Sequence, residues 1–179
     1  LVRVNSLVQV KGITDMDLII RGREPGDAAA YQRLYSQPEV YRWTTQLPFP
    51  SVATWQKKFE NMDAAGYIGF VAEIDGQMVG ELTLFVEQRP RTRHSISFGI
   101  SVDPAFGGRG IGEKLIRNAI DYAFNWLGVM RIELEAFHDN ARALRLYQRL
   151  GFEHEGVKRK ACLRDGEYHD IVVMAKLRD

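Results

Sequence analysis

Between Ser101 and Ile116 the chain reads Ser-Val-Asp-Pro-Ala-Phe-Gly-Gly-Arg-Gly-Ile-Gly-Glu-Lys-Leu-Ile: an apolar strand enters a turn holding four glycines and leaves it as an amphipathic helix. No other segment restricts the fold so tightly. Gly107, Gly108, Gly110 and Gly112 admit backbone conformations closed to other residues, so successive N–H groups converge on an anion at the positive end of the helix. The expected occupant is the phosphate of a nucleotide or coenzyme.

Spacing narrows the choice. A dinucleotide fingerprint G-x-G-x-x-G begun at Gly108 needs glycine where Glu113 stands. A mononucleotide loop begun at Gly107 needs Lys and then Ser or Thr where Glu113 and Lys114 stand. What remains is G-x-x-G-x-G from Gly107 to Gly112. Farther along, Ile132 to Phe152 reads as a strand, a capped helix and a terminating glycine, with Asn140, Ala143, Tyr147, Gly151 and Phe152 in the pattern N-x-x-A-x-x-x-Y-x-x-x-G-F. The two segments together resemble the linked coenzyme motifs of the GNAT family of N-acetyltransferases. That family's first motif opens with Gln or Arg, where this chain has Gly107.

At 179 residues, with 45% hydrophobic and 26% charged, the chain suits one soluble domain with a sizeable core. A formal net charge of +1, from 24 basic and 23 acidic residues, supplies no field for nucleic acid or an anionic membrane. No apolar run approaches the roughly 20 residues of a membrane span. The single cysteine, Cys162, makes no intrachain disulfide, and a reducing cytoplasm is the expected location. Residues 1–15 are expected to be an N-terminal extension, disordered or non-native, and 16–179 one catalytic domain.

The pattern predicts strands over Met16–Arg21, Tyr67–Ile74, Gln77–Gln88, His94–Val102, Arg131–Phe137, Phe152–Leu163 and Glu167–Leu177. Asp75-Gly76 and Asp165-Gly166 mark two hairpins. Helices are predicted from an Asp27 cap to Tyr35, from Ser51 through Trp55 and Phe59, from Gly110 to Leu127, and from Asn140, with a small turn near Glu39–Arg42. In the third helix Ile111, Leu115, Ala119, Ala123 and Trp126 fall on one stripe. The order is β-α-α-β-β-β-α-β-α-β-β. That is the order of the α/β GNAT fold, in which four helices flank a mixed, mostly antiparallel sheet of about seven strands.

The resemblance implies acetyl-coenzyme A as co-substrate and no metal. The strands before the glycine loop and after the next helix splay, and the coenzyme arm pairs with the backbone of Ile100, Ser101 and Val102. The coenzyme-binding turn is Gly107, Gly108, Arg109, Gly110, Ile111 and Gly112: the pyrophosphate takes the N–H groups of Gly108 to Gly112, and Arg109 or Arg142 reaches the ribose phosphate. Asn140 reads both as a helix cap and as a partner of the arm, on the helix that also carries Ala143. Tyr147 matches the family's general acid, since a phenol near ~10 stays protonated at neutral pH; packing on the helix's inner face is its other reading. For the base, Glu135 aligns with a carboxylate used by ribosomal-protein acetyltransferases of the family, and Glu81, His94 and ordered water are rivals.

The acceptor is expected over Thr44, Leu47, Phe49, Glu81 and Tyr168. Gln37-Pro-Glu-Val-Tyr41, Gln88-Arg-Pro-Arg91, Arg131-Ile-Glu-Leu134 and Leu163-Arg-Asp-Gly-Glu-Tyr168 resemble a bacterial branch of the family that includes a broad-specificity L-amino-acid N-acetyltransferase. A small amine, in the first place a free amino acid, is therefore the expected acceptor. Alternatives are a polyamine, a protein or peptide N-terminus, and a non-catalytic acyl-CoA sensor. An arginine would hold an amino acid's carboxylate, whereas clustered carboxylates would suit a polyamine. A homodimer is expected through the last strands.

Overall fold

The computed structural model describes residues 18–178. Among these residues seven strands form one sheet: β1 (Ile19–Gly22), β2 (Ile68–Ile74), β3 (Gln77–Val86), β4 (Ser95–Val102), β5 (Arg131–Phe137), β6 (Glu153–Arg164) and β7 (Glu167–Leu177). The helices are α1 (Ala28–Tyr35), α2 (Pro38–Tyr41), α3 (Val52–Ala64), α4 (Ile111–Asp121) and α5 (Ala141–Arg149). The spatial order is β1-β2-β3-β4-β5-β7-β6, and every pairing is antiparallel except β4 with β5. The expected order is present, with the four-residue α2 as a fifth helix.

Local chemistry sets the corners. Asp75 and Gly76 adopt φ of 50° and 76°, and Asp165 and Gly166 adopt 52° and 82°. Positive φ at both central residues matches the turn's twist to that of the strands it joins. Ser51 caps α3 by accepting from Thr54 N at 3.0 Å. Asp27 stands at the head of α1 but does not cap it. Its carboxylate turns back to accept from Glu24 N at 2.8 Å and from Arg21 at 2.8 and 2.9 Å, closing the preceding Pro25–Asp27 turn.

The sheet is covered unequally. On one face α4 and α5 bury Leu115, Ile116 and Tyr147 against Leu82, Leu84, Ile96 and Leu134. Each such aliphatic side chain contributes about 1.5–3 kcal/mol by leaving water. On the other face α1 and α3 pack Tyr31, Leu34, Trp55 and Phe59 over Val71 of β2 and Met78 of β3. The same face of β5, carrying Arg131, Glu133 and Glu135, stays accessible.

Two boundaries moved. The predicted strand from Met16 begins at Ile19, residues 16 and 17 and the extension 1–15 lying outside the described residues. The predicted helix to Leu127 is α-helical only to Asp121 and finishes in a π-helical turn, Tyr122–Trp126, closed by Leu127 N to Tyr122 O at 3.2 Å. The wider turn, with more residues per revolution, retards the helical phase. Trp126, expected on the buried stripe, is 70% exposed.

Candidate active site

β4 and β5 pair only at Ser95 with Arg131, Ile96 with Ile132 and Ser97 with Glu133. Beyond that point each keeps its other neighbour: β4 stays on β3 up to Val102, and β5 stays on β7 up to Phe137. The backbone of residues 98–102 therefore turns unused donors and acceptors into the gap. A cavity of about 970 Å³ occupies the divergence, lined on β4 by Phe98 to Val102 and on β5 by Leu134 to Phe137. An amide-rich chain can lie there as an added strand.

The glycine turn closes one end. Asp103 accepts from Ala105 N at 3.0 Å, Pro104 opens a short turn, and Gly108 and Gly110 take φ of +79° and +75°. Gly110 is the residue before α4, so the unpaired N–H groups of the first helical turn face the cavity mouth. Gly107 differs, with an extended φ of −61°. A Cβ there would meet Pro104 O at 3.1 Å and both terminal nitrogens of Arg142 at 3.6 Å. Arg142 thus occupies the space into which a Gln or Arg at 107 would extend, and it lines the cavity.

Tyr147 projects from α5 into the same gap. Its ring meets Phe98 and Phe152 edge-on, both at 6.1 Å. Burial pushes its hydroxyl up to about 12, since nothing there solvates a phenolate. Asn140 caps α5, accepting from Ala143 N at 3.2 Å, and both residues line the cavity.

The opposite wall is built on Glu81. Its carboxylate is 2% exposed yet lines the cavity, accepting from Tyr31 Oη and Thr83 Oγ1 at 3.1 Å each and from Tyr35 Oη. Ser101 Oγ donates to Tyr35 Oη at 3.1 Å. Desolvation raises the Glu81 carboxyl to about 7, against the pull of its three hydroxyl donors. Trp55 and Gln46 belong to this wall, and Lys58, outside the lining, lies over the Trp55 ring at 4.5 Å and donates to Gln46 Oε1. Glu135 and Glu133 also face the cavity, the first paired with Lys158 and the second with Arg131 at 3.1 Å.

Residues 29–152 match the Acetyltransferase (GNAT) family. The chain belongs to this family. It is 44% identical over 162 residues to the L-amino acid N-acetyltransferase AaaT of Escherichia coli K12, spanning 90% of this chain and 99% of that protein. It is 29% identical over 156 residues to the spermidine N(1)-acetyltransferase of the same strain, spanning 87% and 83%. The crystal structure of spermidine N-acetyltransferase from Vibrio cholerae in complex with CoA and spermine superposes with a TM-score of 0.81 at 26% identity, covering 91% of this chain and 96% of that one. This GNAT protein is an N-acetyltransferase.

Of the residues singled out in the sequence, Ile100, Ser101, Val102, Gly108, Gly110, Ile111, Gly112, Asn140, Ala143 and Tyr147 meet in the cavity of this GNAT fold, with Glu135, Glu81 and Thr44 across from them. Gly107 and Arg109 stand beside it, Arg109 over the Phe106 ring at 5.1 Å. Leu47, Phe49 and Tyr168 lie on the surface outside the cavity wall, 82%, 93% and 65% exposed. Arg164, a candidate partner for an acceptor carboxylate, is already held by both oxygens of Asp139 and by His169 Nδ1 at 3.1 Å. His138, Asp139 and His169 bring ligand-type atoms within 4.8 Å of one another, but a cation there would have to displace that arginine. The sequence reading missed Tyr31, Tyr35 and Lys58. A tyrosine pair at i and i+4 and a lone acid in the apolar strand β3 were the available signals.

Proposed function

We propose that this enzyme transfers the acetyl group of acetyl-CoA to the α-amine of a free L-amino acid. The carrying observation is the 44% identity that extends over 99% of an L-amino acid N-acetyltransferase. The glycine turn, with Arg142 behind it, holds the coenzyme phosphates, and the free backbone of residues 98–102 holds the amide-rich arm. Acetyl-CoA supplies the thioester. Tyr147, kept protonated by burial, meets the departing sulfur as a hydrogen-bond donor, a role that needs no full proton transfer at neutral pH.

The acceptor enters from the face left open over β5. Glu133 and Glu135 draw its ammonium toward the gap. Its carboxylate is received at Gln46, which lines the cavity, and by Lys58, a cation held beside the cavity on the Trp55 ring. This reading includes a cytoplasmic location, supported by the single free cysteine, and a homodimer, supported by the outer edge of β6, which no strand among the described residues pairs. A polyamine acceptor is the second reading, favoured by five cavity carboxylates, Glu39, Glu81, Glu113, Glu133 and Glu135.

The test is release of free thiol from acetyl-CoA with amino acids, the matching amines without a carboxylate, polyamines and short peptides. Turnover on amino acids that falls about 10²-fold or more in Tyr147→Phe, with coenzyme affinity retained, is the expected outcome. Turnover confined to polyamines or peptides refutes the amino-acid reading.

A further inference from the structure

We propose that Glu81 takes the proton lost by the acceptor ammonium, delivered through the hydroxyls of Ser101 and Tyr35. This rests on the N-acetyltransferase reading but not on which amine is used.

The geometry is that of a directed chain. Ser101 lies on the stretch of β4 that has parted from β5 and lines the cavity, and its register partner on β3 is Glu81. Ser101 Oγ–H donates to Tyr35 Oη at 3.1 Å, and Tyr35 Oη–H donates to Glu81 Oε1. Both bonds point inward, so a proton arriving at Ser101 Oγ from the cavity moves one step along each to leave Glu81 as a carboxylic acid. In balance, the ammonium gives one proton to Glu81 and becomes the nucleophilic amine, the N–C bond forms as the C–S bond breaks, the second nitrogen proton passes to the departing sulfur to give free thiol, and Glu81 holds the first proton until solvent removes it.

A purely structural role explains Glu81 poorly. The side chain stands on the fully buried face of β3 among aromatic rings, and its partners are hydroxyls rather than a cation. A buried carboxylate without a counter-ion is costly, and glutamine would fill the same space without that cost. Glu135 already has the Lys158 ammonium as its partner, whereas Glu81 has no ion-pair partner among the described residues.

The groups that govern its titration are few. From α1 come the hydroxyls of Tyr31 and Tyr35, both raised well above their ordinary range by burial and by Glu81 itself. Thr83 faces it from its own strand, β2 opposes it with Val71, and α3 adds the Trp55 ring. Arg23 acts at longer range, held on Asp63 and over Phe59 at 4.6 Å. Desolvation outweighs these favourable contacts and places the carboxyl near 7, where a base can both accept and release a proton.

The test is the pH profile of kcat/KM with whichever amine turns over, for wild type, Glu81→Gln and Ser101→Ala. The expected wild-type profile has an acidic limb with a midpoint near 7 that Glu81→Gln abolishes, with a loss of about 10²-fold at the plateau and unchanged coenzyme affinity. Ser101→Ala, which leaves the carboxylate and its tyrosines in place, lowers the plateau about tenfold or more while keeping the limb. A Glu81→Gln enzyme within threefold of wild type that retains the limb overturns the proposal. Infrared difference titration of the coenzyme-loaded protein, wild type against Glu81→Gln, reads the carboxyl without any acceptor. A protonation step near neutrality supports the proposal, and its absence overturns it even where the identity of the acceptor has been misjudged.

Discussion

Gly110→Ala and Gly112→Ala, two residues apart in one phosphate-binding turn, are expected to change stability in opposite directions. Gly110 precedes α4 at φ +75°, and no heavy atom lies within 4 Å of where a Cβ would stand. The cost of alanine there is pure backbone strain, about 1–2 kcal/mol. Gly112 is inside the first helical turn, and its Cβ would make only ordinary contacts, with Leu146 Cδ2 and Val102 Cγ2 at 3.7 Å and Ile100 Cδ1 at 3.9 Å. Alanine there removes unfolded-state freedom and improves helix propensity, a gain of about 0.5 kcal/mol. The pair should therefore differ by about 2 kcal/mol, which for a chain of this length is about 4–8 °C in Tm. Thermal unfolding followed by circular dichroism reads the gap. Calorimetric titration with coenzyme A should show weakened binding for Gly110→Ala, whose strain re-aims the N–H groups, and near-wild-type binding for Gly112→Ala. A Gly112→Ala protein that loses more than 1 kcal/mol, or a Gly110→Ala protein as stable as wild type, refutes the assignment of separate roles.

Further outcomes follow from the same site. Arg142→Ala, removing a charged donor from beside the turn, should weaken coenzyme A binding about tenfold to a hundredfold by calorimetry. Lys58→Met should raise KM for amino acids about tenfold while leaving carboxylate-free amines unchanged, a split visible in steady-state kinetics. Because the Glu81 carboxyl sits near 7 in the fold and near 4.5 otherwise, the folded protein retains a proton that the unfolded chain has released across that window. Wild type should accordingly lose about 3 kcal/mol relative to Glu81→Gln as pH rises from 4.5 to above 7. Denaturant midpoints of the two proteins at pH 4.5, 6 and 8 measure it.

The coenzyme half of the site was legible in the sequence because it is local. Gly108 and Gly110 announce backbone conformations that glycine alone adopts freely, and Asn140 to Tyr147 lie within two turns of one helix. The turns at Asp75-Gly76 and Asp165-Gly166 are equally local, and they mark the ends of the strands they join. Spacing also placed Ile100 to Val102 on the strand that feeds the loop, although the register with β5, which ends at Ser97 and opens the gap, is a property of two distant strands.

What only the tertiary structure decided is pairwise and long-range. Glu81 is separated by 50 residues from Tyr31, 46 from Tyr35 and 20 from Ser101, and its proton affinity comes from the low dielectric that these partners create together. Glycine at 107 reads as a missing side chain until Arg142, from another helix, is seen filling its place. Arg164 reads as a free cation until Asp139 claims it. Trp126 shows the same limit within one helix, since a single widened turn moved it from the expected core stripe to the surface. The sequence by itself determined which backbone conformations and amphipathic faces were available. Burial and charge pairing, which depend on every neighbour at once, determined which of its polar side chains carry chemistry.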